Sequence, residues 1–246
     1  MIKEGCLEGI DEVYGFHNIP NFSEGEIRVK EGPVMAAVSL VKIKVVGKGG
    51  HGSVPHMIKD VISAGAAILT NLHTIKSRCI DSKENFVFAI TQFTSGYTYN
   101  VFPDEAFMQG TIRAFSKSCI QQVKEKIRLI AESTAIAMGC TAEVEISDAF
   151  SPVVNHKTES AHVARIAEIN FGKTYVGDRY LPLPASEDFA EYLEEKPGCF
   201  YFLGTMQKGK VYHCHSSSYD YNDGMIASGA LLYIRIVEDR LGAAIL

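Results

Sequence analysis

The chain has 246 residues, enough for one large or two ordinary domains, since a single hydrophobic core stops growing near roughly 250–300 residues. Its 46% hydrophobic and 22% charged residues, with 21 Gly and 8 Pro, place it among folded globular proteins and exclude disordered, collagen-like and coiled-coil readings. Against 29 Asp and Glu stand 24 Lys and Arg, a net charge of −5, so no general field draws phosphate backbones or anionic lipid and no nucleic-acid partner is expected.

In chain order, alternating apolar positions over residues 38–46 predict a strand ended by Gly47, Gly49 and Gly50. From Asp60, placed as an N-cap, Val61, Ala64, Ala67, Ile68 and Leu72 keep helical spacing to about Lys76. Residues 86–93 and 106–115 read as strands joined by a polar segment through Asn100 and Pro103. Ile120, Val123, Ile127, Ile130 and Ala131 predict a second helix that starts after Ser118 and ends at Gly139, and residues 141–146 alternate as a further strand. The resulting order is the β-α-β-β-α-β arrangement of ferredoxin-like domains, a four-stranded antiparallel sheet with two helices on one face. It takes residues 38–149 and leaves 1–37 and 150–246 on either side. The C-terminal part reads as α/β material: helices over 158–171 and 186–195, a strand over 199–203 and a last helix over 225–241. The expected fold class is therefore α/β plus α+β, one α/β domain interrupted by an inserted ferredoxin-like domain.

The six cysteines (6, 79, 119, 140, 199 and 214) stand singly, without the paired spacing of a zinc ribbon or the density of a disulfide-stapled domain, so reduced thiols in a cytoplasmic setting are expected. No apolar stretch approaches the ~18 residues that cross a bilayer, so no membrane partner is expected. The first residues, Met-Ile-Lys-Glu-Gly-Cys-Leu-Glu, have neither the basic nor the apolar region of a secretory signal.

A ferredoxin-like module does not define a function by itself, so the histidines have to carry the argument. His51 and His56 lie in Gly49-Gly-His-Gly-Ser-Val-Pro-His56, His17 follows Tyr14-Gly-Phe, and His213 and His215 bracket Cys214. Taken singly, each is more often an ordinary surface or core histidine. Loop histidines outside helical periodicity are nevertheless candidates for metal ligation or proton transfer.

Together, these segments resemble the metal-dependent amidohydrolase family of aminoacylases, hippurate hydrolases and auxin-conjugate hydrolases. The resemblance rests on Asp11-Glu-Val-Tyr-Gly-Phe-His17, Lys48-Gly-Gly-His51-Gly-Ser-Val-Pro-His56, Tyr99-Asn100-Val-Phe-Pro103, Gly110-Thr-Ile-Arg113, Ala185-Ser-Glu187-Asp-Phe and His215-Ser-Ser-Ser-Tyr-Asp-Tyr-Asn-Asp223. It implies a zinc-peptidase-like catalytic domain (1–37 and 150–246) split by a ferredoxin-like dimerisation lid (38–149), acting as a homodimer on N-acyl amino acids or small peptides. It also implies two divalent metal ions, zinc, manganese or cobalt, with His17 and His215 each ligating one. His51 would reach a neighbouring subunit's site and hydrogen-bond the tetrahedral oxyanion, while Asn100 and Arg113 would orient the substrate's polar or carboxylate end. Glu187 falls near the site.

The sequence departs from that pattern in two ways. Where the family has Pro two residues after its last ligating His, Ser217 stands here, and an extra His213 precedes it; in an extended segment His213 and His215 would share a face with Cys214 pointing away. The family's Cys-Gly-His-Asp motif and Glu-Glu pair do not precede His17, and even a mononuclear catalytic zinc takes three protein ligands. The chain is therefore expected to be part of a longer enzyme, without appreciable activity as written, or a non-catalytic dimerisation or ligand-binding relative. RNA binding through the ferredoxin-like sheet is the third class, disfavoured by the acidic balance and by the lack of paired aromatic strand motifs.

Overall fold

A computed structural model describes residues 1–210 and 212–245. In chain order its main elements are β1 (Val13–Ile19), β2 (Ile27–Arg28), β3 (Gly32–Met35), β4 (Ala37–Val46), β5 (Gly50–His51), α1 (Val61–Leu72), β6 (Phe86–Ser95), β7 (Val101–Phe102), β8 (Glu105–Ala114) and α2 (Lys117–Ala137). There follow β9 (Thr141–Phe150), β10 (Val153–Asn155), α3 (Lys157–Phe171), α4 (Ala190–Glu195), β11 (Gly198–Gly204) and α5 (Ile226–Leu241). The chain divides into two units. One comprises Met1–Met35, Val153–Leu183 and Glu187–Leu246; the other comprises Ala36–Pro152 and Pro184–Ser186.

The first unit is built on β11, whose residues Gly198–Gly204 are buried throughout. Cys199, Tyr201 and Leu203 point to one core with Val163 and Ile166 of α3 and Leu232 and Ile236 of α5. Phe200 and Phe202 point to a second core with Phe22, Met35, Ala190 and Leu193. Covering both faces explains why Cys-Phe-Tyr-Phe-Leu has no polar alternation, the pattern of a strand inside an α/β layer. β11 pairs with β1 in parallel, setting His17 opposite Phe202, and with β2 antiparallel. A separate ladder joins β10 to β3. Asn155, which the sequence pattern did not single out, anchors this region: its amide donates to the Phe200 carbonyl (2.7 Å) and its side-chain oxygen accepts from the Phe200 N–H (2.6 Å).

In the second unit a four-stranded antiparallel sheet runs in the order β6-β8-β4-β9. Val41, Ile43 and Val45 of β4 face a core with Ile68 and Leu72 of α1 and Val123, Ile127 and Ala131 of α2, each fully buried aliphatic contributing about 1.5–3 kcal/mol. Asp60 caps α1, its carboxylate accepting from Ile62 N–H (2.9 Å) and Ser63 N–H (3.1 Å). α2 begins at Lys117, not after Ser118, because Ser116 is the cap: its Oγ accepts from Cys119 N–H at 3.1 Å. α4 is shorter than the predicted 186–195 helix, since Glu187 and Asp188 use their carbonyls in turns that accept from Ala190 and Glu191. Among the described residues the six cysteines are free thiols, and no helix is long and apolar enough to cross a membrane.

Candidate active site

In the first unit, β1 carries His17 half-buried on its C-terminal half. Its Nδ1 lies 2.6 Å from the Asn18 carbonyl oxygen. A carbonyl only accepts, so this contact puts the imidazole proton on Nδ1 and leaves the Nε2 lone pair free for a ligand. Glu187 sits within electrostatic range of His17. Burial pushes its carboxyl above the ordinary range and the side-chain hydrogen bond with Asp188 adds to this, while the Asp188 backbone N–H, and a positive charge on His17 when that ring is protonated, act in the opposite direction. His215 lies on the connection between β11 and α5. Its backbone is not extended: residues 214–215 form a turn, Ser216 N–H donates to the His213 carbonyl, and His215 has φ +64°. The extended arrangement with His213 and His215 on one face therefore does not occur. The His215 segment is tied to β1 instead through Tyr219, whose hydroxyl accepts from the Asn18 side-chain amide at 2.5 Å.

In the second unit, His51 ends β5 and pairs with Val101 of β7. Two glycines allow this pairing. A Cβ on Gly49 would lie 2.3 Å from the Phe102 carbonyl oxygen, and one on Gly52 would lie 3.3 Å from the Asn100 carbonyl oxygen. The loop is pinned by Gly49 N–H to the Asp104 carboxylate (2.8 Å), Gly47 N–H to the Asp104 carbonyl (2.9 Å) and Gly52 N–H to the Asn100 carbonyl (2.9 Å). His51 and Asn100 are thus neighbours and both are exposed. His51 has the opposite tautomer to His17: its Nδ1 accepts from Ser53 N–H at 3.3 Å, with the Ser53 hydroxyl at 2.7 Å, so the proton sits on Nε2. Nε2–H is then a donor, the form that stabilises an oxyanion.

Arg113 lies elsewhere. It is eight residues beyond Glu105, the start of β8, a run of roughly 27 Å at ~3.4 Å per residue. It pairs with Val38 and Val87, and its Nη1 donates to the Thr111 hydroxyl at 2.9 Å. One copy of this unit therefore brings His51 and Asn100 together but holds Arg113 at the other end of the sheet.

Among the described residues, no group of three or more His, Cys, Asp or Glu converges to hold an ion. His17 has the donor chemistry of a divalent-metal ligand, but a catalytic zinc needs at least three protein donors, and the described residues bring no such set together. Two of the remaining histidines have side-chain partners, and a third ends a helix. His162 pairs with Asp239, His156 Nδ1 accepts from Gly198 N–H, and His73 is the residue that ends α1. The residues missed in the sequence are Asn18, Asp104 and Tyr219. Tyr219 lies inside a motif already singled out and Asn18 and Asp104 directly follow two others, so proximity in sequence was the available signal.

Residues 1–239 match peptidase family M20/M25/M40. The N-acetylcysteine deacetylase of Bacillus subtilis is 37% identical over 213 residues, covering 87% of this chain and 55% of that protein. The hippurate hydrolase of Campylobacter jejuni is 32% identical over 240 residues, covering 96% of this chain and 61% of that enzyme. Among solved structures, a Bacillus subtilis protein described as a dinuclear metal-binding peptidase from the M20 family aligns with a TM-score of 0.80 at 29% identity, covering 98% of this chain and 60% of that one. The chain thus spans a little over half the length of the curated relatives it matches.

Proposed function

Because the chain belongs to peptidase family M20/M25/M40, we propose that it forms part of a metal-dependent hydrolase that cleaves the amide bond of N-acyl amino acids or small peptides. The observation that carries the reading is the opposite tautomers of the two key histidines: His17 presents a free Nε2 lone pair and His51 an Nε2–H. The first suits a metal ligand and the second an oxyanion donor. Residues 1–37 and 150–246 belong to the catalytic domain, and 38–149 form a ferredoxin-like lid inserted into it.

His17 and His215 are two of the metal donors, and the remainder of the set comes from outside the described residues. A divalent ion bound there, whether zinc, manganese or cobalt, supplies activated water near neutral pH and polarises the amide carbonyl. The chain's own residues do the rest. His51 donates to the oxygen of the tetrahedral intermediate, Asn100 beside it holds a polar group of the substrate, and Arg113 binds a carboxylate with its planar fork. The span of β8 between Asn100 and Arg113 supports a composite arrangement, with His51 and Asn100 contributed by one subunit of a homodimer and Arg113 by the other.

β6 is the edge suited to that dimer. It has no charged residue and no proline over Phe86–Ser95 and exposes Val87 and Phe93, whereas the opposite edge, β9, carries Glu143, Glu145 and Asp148. Uncharged edges are the ones that pair with a second copy. The test is release of the free amino acid from N-acetyl and N-benzoyl substrates by the complete metal-loaded protein. His51→Ala should lower turnover while metal content stays constant; equal loss of metal would make His51 a ligand instead. A second reading, a dimerisation or ligand-binding relative without catalysis, is favoured by the incomplete donor set and corresponds to no turnover in any variant.

A further inference from the structure

The connection from Thr205 to Asn222 is 18 residues long, beyond the roughly 12–15 residues at which loops without secondary structure become uncommon and usually functional. Its start is pinned by Thr205 N–H to the Ile19 carbonyl and Met206 N–H to the Phe22 carbonyl, and its end by the Asn222 amide to Glu24. Within it, the backbone hydrogen bonds among the described residues are local turns: Lys210 to Gln207, Ser216 to His213 and Tyr219 to Ser216. The middle of the loop, including His215 in its left-handed conformation, reaches β1 through the hydrogen bond from the Asn18 amide to the Tyr219 hydroxyl. The Tyr219 ring is set edge-on to Tyr212 at 5.8 Å and 85°.

Asn18 makes a second contact with the same consequence. Its backbone carbonyl accepts from His17 Nδ1, so one residue fixes the His17 tautomer with its main chain and holds the His215 segment with its side chain. We infer that Asn18 and Tyr219 are positioning residues, a latch that keeps the His215 segment beside the His17 strand before any ligand arrives. This deepens the reading of His17 and His215 as metal donors and rests on it. Pre-setting two donors on separate segments removes ordering entropy that ligand binding would otherwise oppose.

The latch is tested in the intact chain with Tyr219→Phe, which keeps the ring and its edge-on contact with Tyr212 but removes the hydroxyl, and independently with Asn18→Ala. Amide exchange across residues 212–222 should speed up roughly 2- to 10-fold in each variant, the range that one hydrogen bond supports. Combining the two should add little, because both remove the same bond. Thermal unfolding should not shift. Imidazole nitrogen spectra should change for His215 in both variants, which a purely structural anchor would not produce, and stay as in the wild type for His17, because both substitutions keep the Asn18 backbone carbonyl that sets its tautomer. Unchanged exchange in both variants overturns the latch; faster exchange with unchanged imidazole spectra overturns the positioning role. Cobalt(II) alone separates this from the underlying reading. Weaker uptake in the variants supports positioning, whereas no uptake by the wild-type chain, with its loop protected, counts against His17 and His215 as donors and leaves the latch standing.

Discussion

Gly49→Ala should undock the loop that carries His51. The added Cβ would stand 2.3 Å from the Phe102 carbonyl oxygen, 3.1 Å from the Pro103 carbonyl carbon and 3.2 Å from the Asp104 nitrogen. All three are backbone atoms, so no side chain can swing aside, and the first contact is roughly 1 Å shorter than carbon and oxygen ordinarily approach. Parting the strands by that amount strains the bonds Gly47 and Gly49 make to Asp104 and the bond Gly52 makes to Asn100. At roughly 0.5–1.5 kcal/mol each, their loss costs about 2–4 kcal/mol of docking energy. Because the four-stranded sheet does not depend on this loop, the change should be local. Amide exchange at residues 49–52 and 100–104 should accelerate about 30-fold or more, a tenfold change corresponding to about 1.4 kcal/mol. Gly52→Ala is the matched control: its Cβ meets the Asn100 carbonyl oxygen at 3.3 Å, a contact relieved by a few tenths of an ångström, so exchange should rise only slightly. Equal exchange in the two variants, or wild-type exchange in Gly49→Ala, refutes the steric argument.

In the complete metal-loaded protein, His51→Ala should lower turnover roughly a hundredfold or more, read by steady-state kinetics alongside metal analysis. Glu26→Gln should destabilise the first unit by about 1–3 kcal/mol, measured by urea unfolding. Glu26 accepts from the Arg28 guanidinium, which is 3% exposed and lies 3.4 Å over the Phe22 ring. Burial alone raises the Glu26 carboxyl, but the bonds from Arg28 and Ser23 reverse this and hold it below its ordinary value. The wild-type advantage should therefore be complete above the unfolded carboxylate value near ~4.3 and vanish as pH falls through the lower folded one. Sedimentation should show a dimer, and Val87→Lys on β6 should shift it towards monomer; a monomeric wild type at high micromolar concentration refutes the edge-strand interface.

Periodicity sufficed wherever one face of an element met a single core. Val41, Ile43 and Val45 alternate because only one side of β4 is covered, and Asp60 announces α1 because a carboxylate before an apolar run satisfies the first amides. β5 and β7 are too short for any periodic signal, and what defines them is the close approach allowed by Gly49 and Gly52. The start of α2 was misplaced by two residues because Ser116 and Ser118 are equally good caps in sequence, and only the bond to Cys119 chooses between them. At the site, the histidine motifs marked His17, His51 and His215, but sequence carries no tautomer. That difference is set by an acceptor carbonyl at Asn18 and a donor amide at Ser53. The separation of Arg113 from Asn100 follows from strand length, which motif spacing alone conceals.

The most direct test of the account is metal-dependent hydrolysis by the 246-residue chain itself. The purified chain is supplied with zinc, manganese or cobalt, and amino-acid release from N-acyl substrates is followed together with metal content. With His17 and His215 as two donors of an incomplete set, the expected result is no release above background and weak uptake only, the ion being lost on dialysis against a chelator. Sustained release that a chelator abolishes, and that His215→Ala eliminates, would contradict the account by showing that this chain closes a catalytic metal site on its own.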